Sequence, residues 1–231
     1  MKTIVFSDIH GNIQALEAML KQADACGVKR FIFCGDIMGY FLHQEEVIKH
    51  FRQLPELYAV AGNHDFYYLH TTYGSRERII LTEKYGRSYE KQLCAADLEY
   101  LRHLPQSVEI ELDGMKALVI HGSIECYREG RIYPDTAVDP ILYGSYDLVI
   151  SGHTHYRMCR MAGNTILLNP GSLGQPRDGR GFGYCLIDVE NEMLSFQNVR
   201  IEQDRLLYEL DLCGENKRLI RYLRSKMEED I

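Results

Sequence analysis

The chain has 231 residues, of which 45% are hydrophobic and 26% are charged, as is usual for a globular protein. This length suits one well-buried α/β domain, so we expect a single domain over residues 1–231, with a core at about 1–200 and a helical tail at about 203–231. The net charge of −7 argues against an extended nucleic-acid surface, and no apolar run approaches the ~20 residues that span a bilayer.

The cysteines and the first residues bear on the cellular compartment. Seven cysteines occur without a C-x-x-C pair: Cys26, Cys34, Cys94, Cys126, Cys159, Cys185 and Cys213. Several lie in apolar runs, so we expect reduced, packed thiols. The first predicted strand leads directly into Asp8 and leaves no room for a cleaved signal peptide. These features predict a cytoplasmic protein.

The first half of the chain alternates between predicted strands and helices. Strands are predicted at Thr3–Ser7, Arg30–Cys34 and Leu57–Ala61. A helix with an apolar stripe from Leu16 to Ala23 follows the first strand, and a second helix is predicted around Gln44–Arg52. This order predicts a parallel sheet with helices packed on it.

Two more helices, broken near Cys94, are predicted within Arg76–Leu104. After Leu104 the period of the hydrophobic pattern changes to that of strands. Short strands are predicted at Val108–Leu112, Met115–Ile120, Tyr146–Ile150, Arg157–Met161, Thr165–Leu168, Tyr184–Val189 and Met193–Val199. A long, poorly periodic insertion covers Gly122–Tyr146, and a charged helix is predicted at Glu215–Asp230. We therefore expect two sheets packed face to face, with helices outside.

Five segments place a metal-ligand residue type at the end of an apolar run: Asp8-Ile9-His10, Gly35-Asp36, Gly62-Asn63-His64-Asp65, His121-Gly122 and Gly152-His153-Thr154-His155. Loops at the carboxyl ends of parallel strands converge at one edge of a sheet, so these side chains are expected to meet. In an extended chain Asp8 and His10 would point the same way. Carboxylate combined with imidazole suits Mn²⁺, Fe, Zn²⁺ or Ni²⁺ better than Ca²⁺.

Together the five segments resemble the calcineurin-like metallophosphoesterase superfamily, in its small bacterial and archaeal phosphodiesterase-like branch. The family pattern D-x-H, G-D, G-N-H-[DE], H and G-H-x-H is unbroken here. The resemblance implies a four-layer αββα sandwich of the α/β (α+β) class, with two mixed β-sheets flanked by helices. It also implies two divalent transition-metal ions per chain, with Mn²⁺ preferred.

The resemblance assigns roles to individual residues of this sequence. The first metal would be held by Asp8, His10 and His155, the second by Asn63, His121 and His153, and Asp36 would bridge the two. Two ions roughly 3.5–4 Å apart can activate a bridging hydroxide and clamp phosphoryl oxygens. His64 would donate a proton to the leaving oxygen or stabilise transition-state charge, with Asp65 orienting its ring.

The candidate substrate contacts are Arg177, Asn63 and Asn12. For Arg177 a substrate contact and a structural salt bridge are equally open, and for Asn12 a helix cap is preferred over a substrate contact. Asn169-Pro170-Gly171-Ser172 resembles the bacterial branch but is interpreted as a turn. Two segments depart from the family pattern. This chain has Phe41-Leu42-His43 where related bacterial sequences commonly have Gly-Pro, and the 122–146 insertion is also expected to be specific to this chain.

The sequence thus predicts a metal-dependent phosphoesterase that acts on small phosphodiesters or phosphomonoesters. A protein Ser/Thr phosphatase and a dinucleoside-polyphosphate hydrolase share the same core and stay open as alternatives. A non-catalytic scaffold of the same fold is disfavoured because every ligand position is intact, and a nuclease is disfavoured by the charge. The sequence leaves the physiological substrate, the native metals and homo-oligomerisation open.

Overall fold

Two five-stranded sheets form the centre of the computed structural model, which describes residues 1–215 and 217–228. The first sheet contains β1 (Lys2–Phe6), β2 (Arg30–Phe33), β3 (Glu56–Ala59), β9 (Gly183–Asp188) and β10 (Met193–Asn198), in the order β10-β9-β1-β2-β3. The second contains β4 (Ser107–Leu112), β5 (Met115–Ile120), β6 (Leu148–Ile150), β7 (Arg157–Ala162) and β8 (Thr165–Pro170), in the order β4-β5-β6-β8-β7. Strands β1, β2 and β3 run parallel, as do β5, β6 and β8. The pairs β1–β9, β9–β10, β4–β5 and β7–β8 are antiparallel, so both sheets are mixed.

Helices cover the sheets. They are α1 (Ile13–Ala25), α2 (Gln44–Phe51), α3 (Asn63–His70), α4 (Arg76–Tyr85), α5 (Ala95–His103), α6 (Pro140–Tyr143), α7 (Gln203–Leu212) and α8 (Lys217–Glu228). Alternation along β1 shows how the layers form, because Ile4 and Phe6 pack towards the helices while Val5 packs between the sheets.

Three apolar clusters correspond to the three spaces between four layers. The cluster between the sheets joins Val5 and Ile32 of the first sheet to Val119, Ile150 and Leu168 of the second. Helices α1, α2, α7 and α8 cover the outer face of the first sheet. The outer face of the second sheet is covered by α6 and the 122–146 segment. The predicted αββα fold class is confirmed.

The helices differ in detail from those predicted. Helix α3 begins at Asn63, inside a predicted metal motif, and was not expected because its apolar residues lack a clear stripe. The predicted Arg76–Leu104 pair consists of α4, a short 3₁₀ turn at Arg87–Glu90, and α5. The predicted helix at Glu215–Asp230 corresponds to α8, and its residues 216, 229 and 230 lie outside the described residues.

All seven cysteines are free thiols, as predicted. The expectation that they are packed holds for Cys34 and Cys185 but is wrong for the other five, which are exposed. No helix within residues 1–215 and 217–228 combines the length and the apolar content that crossing a bilayer requires.

Candidate metal centre

The structure brings all seven predicted metal ligands to one edge of the sandwich. Asp8 and His10 follow β1, Asp36 follows β2, Asn63 begins α3 after β3, His121 follows β5, and His153 and His155 follow β6. Each of these side chains is buried. Convergence at the carboxyl ends of parallel strands is the arrangement that the sequence predicted.

Tight turns aim five of these ligands. The backbone angle φ of Asp8, His10, Asp36, His153 and His155 is 52°, 50°, 69°, 64° and 63°. This left-handed region is rare for residues other than glycine and costs on the order of 1–3 kcal/mol at each position. The expectation that Asp8 and His10 are aimed by an extended strand is therefore wrong, because β1 ends at Phe6 and both residues have a left-handed backbone in the loop that follows.

The first ligand group joins Asp8, His10 and His155, whose candidate donor atoms all lie within 4.8 Å of one another. Asp8 Oδ1 lies 3.2 Å from His155 Nε2 and 4.0 Å from His10 Nε2. The two imidazole Nε2 atoms are 3.3 Å apart. Because metal–ligand bonds are about 2.0–2.2 Å long, donor atoms of one ion are separated by roughly 3–3.5 Å. The group therefore has the dimensions of a site for one ion.

The second ligand group joins Asp36, His121 and His153 within the same 4.8 Å limit. Asp36 Oδ2 and Asn63 Oδ1 lie 3.3 Å and 3.0 Å from His121 Nε2. The same Asp36 Oδ2 lies 4.0 Å from His10 Nε2 in the first group. One carboxylate oxygen of Asp36 is thus positioned between the two groups.

Backbone carbonyls fix the ring orientation of three histidines. Nδ1 of His10, His121 and His155 donates to the carbonyl oxygens of Met38, Cys34 and Gln175, at 2.7, 2.6 and 2.5 Å. A carbonyl oxygen only accepts, so Nδ1 of each ring carries a hydrogen, and Nε2 of the neutral His10 and His155 rings presents a lone pair to the site. Such partners behind the ligands are typical of metal-binding histidines.

The donor set fits divalent cations, because in the first group the Nε2 lone pairs of the neutral His10 and His155 rings face each other at 3.3 Å without a hydrogen between them. Asp8 Oδ1 and His153 Nε2 are buried and have no hydrogen-bond partner among the described residues. Burial lowers the pKa of His10 and His155 and lowers that of His153 to about 3, so these rings are neutral and able to coordinate. Two carboxylates among imidazoles are a ligand set for transition metals.

The two carboxylates make the site strongly attractive to positive charge. Burial would raise the pKa of Asp8, yet the imidazoles around it, His155 first, hold this pKa below its ordinary value. Burial also disfavours a charged His121, but the Asp36 carboxylate outweighs it and raises the pKa of His121 to about 10. In the chain without metal a proton on His121 therefore stands where a cation is expected.

His64 lies beside the ligand groups, with one ring nitrogen within 4.8 Å of donor atoms of Asp36 and His10. Its Nδ1 is 2.8 Å from the hydroxyl of Tyr89, a fully buried side chain. Burial, assisted by the Asp36 and Asp65 carboxylates, holds the pKa of Tyr89 well above its ordinary value, so the hydroxyl keeps its hydrogen and can donate it to Nδ1. A neutral His64 ring that accepts this hydrogen at Nδ1 carries its own hydrogen on Nε2; the same hydroxyl also lies 3.4 Å from the His64 carbonyl oxygen.

Asp65 has a different role from the one predicted. Its Oδ1 accepts the backbone N–H of Ile37 and Met38, both at 2.9 Å, and its Oδ2 accepts those of Asp36 and Gly62, at 3.0 and 2.9 Å. The carboxylate therefore holds the Asp36 loop against the start of α3. The assignment of Asp65 as the residue that orients the His64 ring is wrong, and Tyr89 makes that contact instead.

Tyr89 was missed because a single tyrosine in a helical stretch has no distinguishing pattern in the sequence.

The glycine of the Gly62-Asn63-His64-Asp65 motif has a packing role that the motif alone does not explain. A Cβ atom at Gly62 would lie 2.0 Å from Asp36 Oδ1, so only glycine permits the close contact between the two loops.

Asn12 is a helix cap. Its side-chain oxygen accepts the backbone N–H of Ala15 at 3.2 Å, and its amide nitrogen donates to the carbonyl of Leu173 at 3.3 Å. The side chain is fully buried and both of its polar atoms are engaged within the protein. The preferred interpretation agrees with this geometry, and the assignment of Asn12 as a substrate contact is corrected.

Arg177 lies next to the first ligand group. Its backbone N–H donates to the carbonyl of His155 at 3.3 Å, and its Nη2 donates to the Tyr40 hydroxyl at 3.3 Å and to Gln175 Oε1 at 3.0 Å. Both of these guanidinium contacts are to neutral oxygens, the Tyr40 hydroxyl and the Gln175 side-chain amide, and not to a carboxylate. The geometry therefore favours the substrate contact over the structural salt bridge.

The segment Asn169–Ser172, predicted as a turn, begins as the end of β8, which runs to Pro170, and it supports the ligand loops. Gly171 has a φ of 85°, and its N–H donates to the side-chain oxygen of Asn169. The Asn169 amide nitrogen donates to the carbonyl of Gly152 at 2.7 Å and to Thr154 Oγ1 at 3.1 Å. This residue therefore holds the loop that carries His153 and His155.

The 122–146 insertion is attached to α3. The Tyr67 hydroxyl donates to Glu129 at 2.6 Å, and the Arg128 guanidinium lies 3.5 Å from the centre of the Phe66 ring. Burial and then the charge of His121, with a smaller contribution from Arg131, lower the pKa of His153. The insertion therefore contributes positive charge near the second ligand group.

Comparisons with known proteins agree with this geometry. Residues 1–192 match the sequence model of the calcineurin-like phosphoesterase superfamily domain. The chain is 31% identical over 221 residues to an uncharacterized protein of Methanocaldococcus jannaschii, with 87% of each chain covered. It is 26% identical over 172 residues to phosphodiesterase MJ0936 of the same organism, which covers 74% of this chain and 83% of the relative. A solved metallophosphoesterase structure from Sphaerobacter thermophilus superposes with a TM-score of 0.78 at 26% identity, covering 98% of this chain and 99% of that one.

Proposed function

The chain belongs to the calcineurin-like phosphoesterase superfamily and is a metal-dependent phosphoesterase, and from this premise we propose that it hydrolyses small phosphodiesters at a centre of two metal ions. The observation that carries the proposal is the pair of ligand groups that meet at Asp36 Oδ2, which lies 3.3 Å from His121 Nε2 and 4.0 Å from His10 Nε2. A relative named phosphodiesterase supports diesters over monoesters.

In this proposal Asp8, His10 and His155 hold one ion, and Asn63, His121 and His153 hold the other, with Asp36 shared. When bound, two divalent ions supply Lewis-acid chemistry, which activates water and polarises phosphoryl oxygens. Mn²⁺ is the proposed metal, and the donor set also suits Fe, Zn²⁺ and Ni²⁺. The shared carboxylate and the paired lone pairs support a count of two ions per chain.

The hydrolysis consumes one water molecule. Its oxygen bonds to phosphorus, the bond from phosphorus to the leaving oxygen breaks, and the leaving oxygen takes up a proton to become an alcohol. His64 is the proposed carrier of this proton: as the imidazolium it gives a proton to the leaving oxygen and returns to the neutral ring, and the proton lost by the attacking water restores the balance, while Tyr89 holds Nδ1. In this scheme Tyr89 is a positioning residue, since it acts through the His64 ring.

Two further parts of the proposal follow from the chain itself. Arg177, next to His155, is the proposed contact for a substrate oxygen, because its guanidinium donors suit phosphate. A cytoplasmic location is proposed from the free thiols. A non-catalytic scaffold is disfavoured, because no predicted ligand is substituted or displaced from the edge of the sandwich.

A hydrolysis screen of the Mn²⁺-loaded protein tests the proposal. Substrates would be p-nitrophenyl phosphate, bis(p-nitrophenyl) phosphate, a phosphoserine peptide and a dinucleoside polyphosphate. We expect the highest kcat/KM on the diester, with no turnover by the Asp36→Ala variant as the control for contaminating enzymes. A preference for the phosphopeptide would instead support a protein phosphatase, and inactivity on all four would contradict the proposal.

A further inference from the structure

A cavity of about 420 Å³ opens beside the candidate metal centre. We call it the tyrosine cavity, defined by Tyr40, Lys84, Tyr85, Arg177, Arg218 and Tyr222 in its wall. These residues come from the loop after β2, the end of α4, the loop after β8, and α8. Its volume lies in the range of small-molecule sites, which is roughly 300–1,000 Å³.

The tyrosine cavity borders the centre through two of its tyrosines. The ring centre of Tyr40 lies 4.7 Å from that of His10, and the ring centre of Tyr85 lies 4.5 Å from that of His64. The backbone N–H of Tyr40 donates to the carbonyl of Tyr85 at 2.7 Å, which joins the two walls. One wall of the cavity, Tyr85, therefore packs against His64, the residue proposed to act at the leaving oxygen.

The wall combines aromatic rings with positive charge. Three of its side chains are cationic (Lys84, Arg177 and Arg218) against one carboxylate, Glu83, in a chain whose net charge is −7. The Lys84 ammonium lies 4.7 Å from the centre of the Tyr85 ring. Among the described residues the two side-chain hydrogen bonds of Arg177 both use Nη2, so Nη1 keeps its donors for a ligand.

We propose that the tyrosine cavity binds the leaving group of the substrate, and that this leaving group is a nucleoside 5′-phosphate. A planar base would stack on tyrosine, as bases do on aromatic side chains of nucleic-acid-binding proteins. The 5′-phosphate would bind at Lys84 and Arg177, where charge-assisted contacts are strongest. This inference rests on the proposed function and narrows its substrate class to short nucleotide diesters with an additional terminal phosphate.

A matched pair of dinucleotides tests the proposal with the Mn²⁺-loaded protein. Adenylyl-3′,5′-adenosine releases adenosine as its leaving group, whereas its 5′-phosphorylated form releases adenosine 5′-phosphate, and the scissile bond is the same. The wild-type protein should prefer the phosphorylated dinucleotide through a lower KM. Lys84→Gln should raise KM for that substrate roughly fivefold more than for the unphosphorylated one.

Two more variants separate stacking from charge. Tyr222→Ala should raise KM roughly fivefold or more for both dinucleotides. Tyr222→Phe, which keeps the ring, should have the KM values of the wild type. Lys49→Gln is the matched control, because Lys49 also lies in the last turn of a helix, α2, but outside the tyrosine cavity. The proposal would be overturned if the wild type had equal KM values for the two dinucleotides. It would also be overturned if the ratio of these two KM values were the same in Lys84→Gln as in the wild type.

Calorimetric titration of adenosine 5′-phosphate into the Mn²⁺-loaded protein provides a readout that needs no turnover. Lys84→Gln and Tyr222→Ala should each weaken this binding, and only Tyr222→Ala should weaken the binding of adenosine. Equal affinity of wild type and both variants for adenosine 5′-phosphate overturns the inference even if bis(p-nitrophenyl) phosphate is hydrolysed. Absence of hydrolysis of every phosphoester, with the binding differences intact, overturns the proposed function and leaves the binding site supported.

Discussion

Replacing Asp65 with asparagine is expected to destabilise the fold and to weaken metal binding, because Asp65 holds the loop that carries Asp36. The carboxylate accepts four backbone N–H groups at 2.9–3.0 Å, two on each oxygen, and is completely buried. Asparagine keeps one carbonyl oxygen, so its NH₂ group would face two N–H donors. Two charge-assisted hydrogen bonds are lost and two buried donors are left unpaired.

The magnitude follows from these two lost contacts. A hydrogen bond to a charged group contributes about 1.5–3 kcal/mol, so we expect the free energy of unfolding to fall by about 3–6 kcal/mol. The matched control is Asp97→Asn, another buried carboxylate, whose contact is one ion pair at 2.7 Å with the partly exposed Arg52. There the loss should be about 1 kcal/mol or less, with no change in metal content.

Urea unfolding of the metal-free protein measures the free energy of unfolding, and Mn²⁺ titration of the same variants measures metal affinity. We expect Asp65→Asn to lower both, since a displaced Asp36 loop moves the shared ligand. This reasoning would be refuted if Asp65→Asn unfolded with the free energy of the wild type and bound Mn²⁺ with wild-type affinity, yet had a reduced kcat. That result would restore the discarded assignment of Asp65 to the orientation of His64.

Three further predictions concern the remaining site residues. His64→Ala should retain its metals and lower kcat by roughly 10²–10⁴, and wild-type turnover would remove its assignment as proton donor. Tyr89→Phe should lower kcat roughly 10-fold at unchanged metal content, because one buried hydrogen bond of about 1–3 kcal/mol is lost, and a change in metal content alone would contradict the positioning role. Asp36→Ala should lose metal and turnover together, and retention of two ions measured by atomic absorption would show that Asp36 is not shared.

The sequence predicts much of the site because its ligands are tied to strand ends. Asp8, Asp36 and His121 each follow a short apolar run, and parallel strands necessarily end at the same edge. The order of strands and helices predicts the mixed sheets in the same way. The five motifs are therefore recognisable from local patterns, and the resemblance to the family assigns the seven candidate ligands among them.

The parts that were missed depend on contacts distant in sequence. Tyr89 reaches His64 across 25 positions, and the Asp65 carboxylate reaches back to backbone groups near residue 37. Neither contact leaves a periodic pattern, because each depends on how two loops pack. The left-handed backbone at Asp8 and His10 is likewise hidden, since neither is a glycine or an asparagine.

The measurement that tests the central claim most directly is a metal titration followed by activity on bis(p-nitrophenyl) phosphate. Protein stripped with a chelator is reloaded in steps with Mn²⁺, and bound metal and kcat/KM are measured on the same samples. The account predicts no activity without metal, saturation at two ions per chain, and a melting temperature that rises with Mn²⁺. Full activity in the stripped protein, or saturation of activity at one ion, would contradict it.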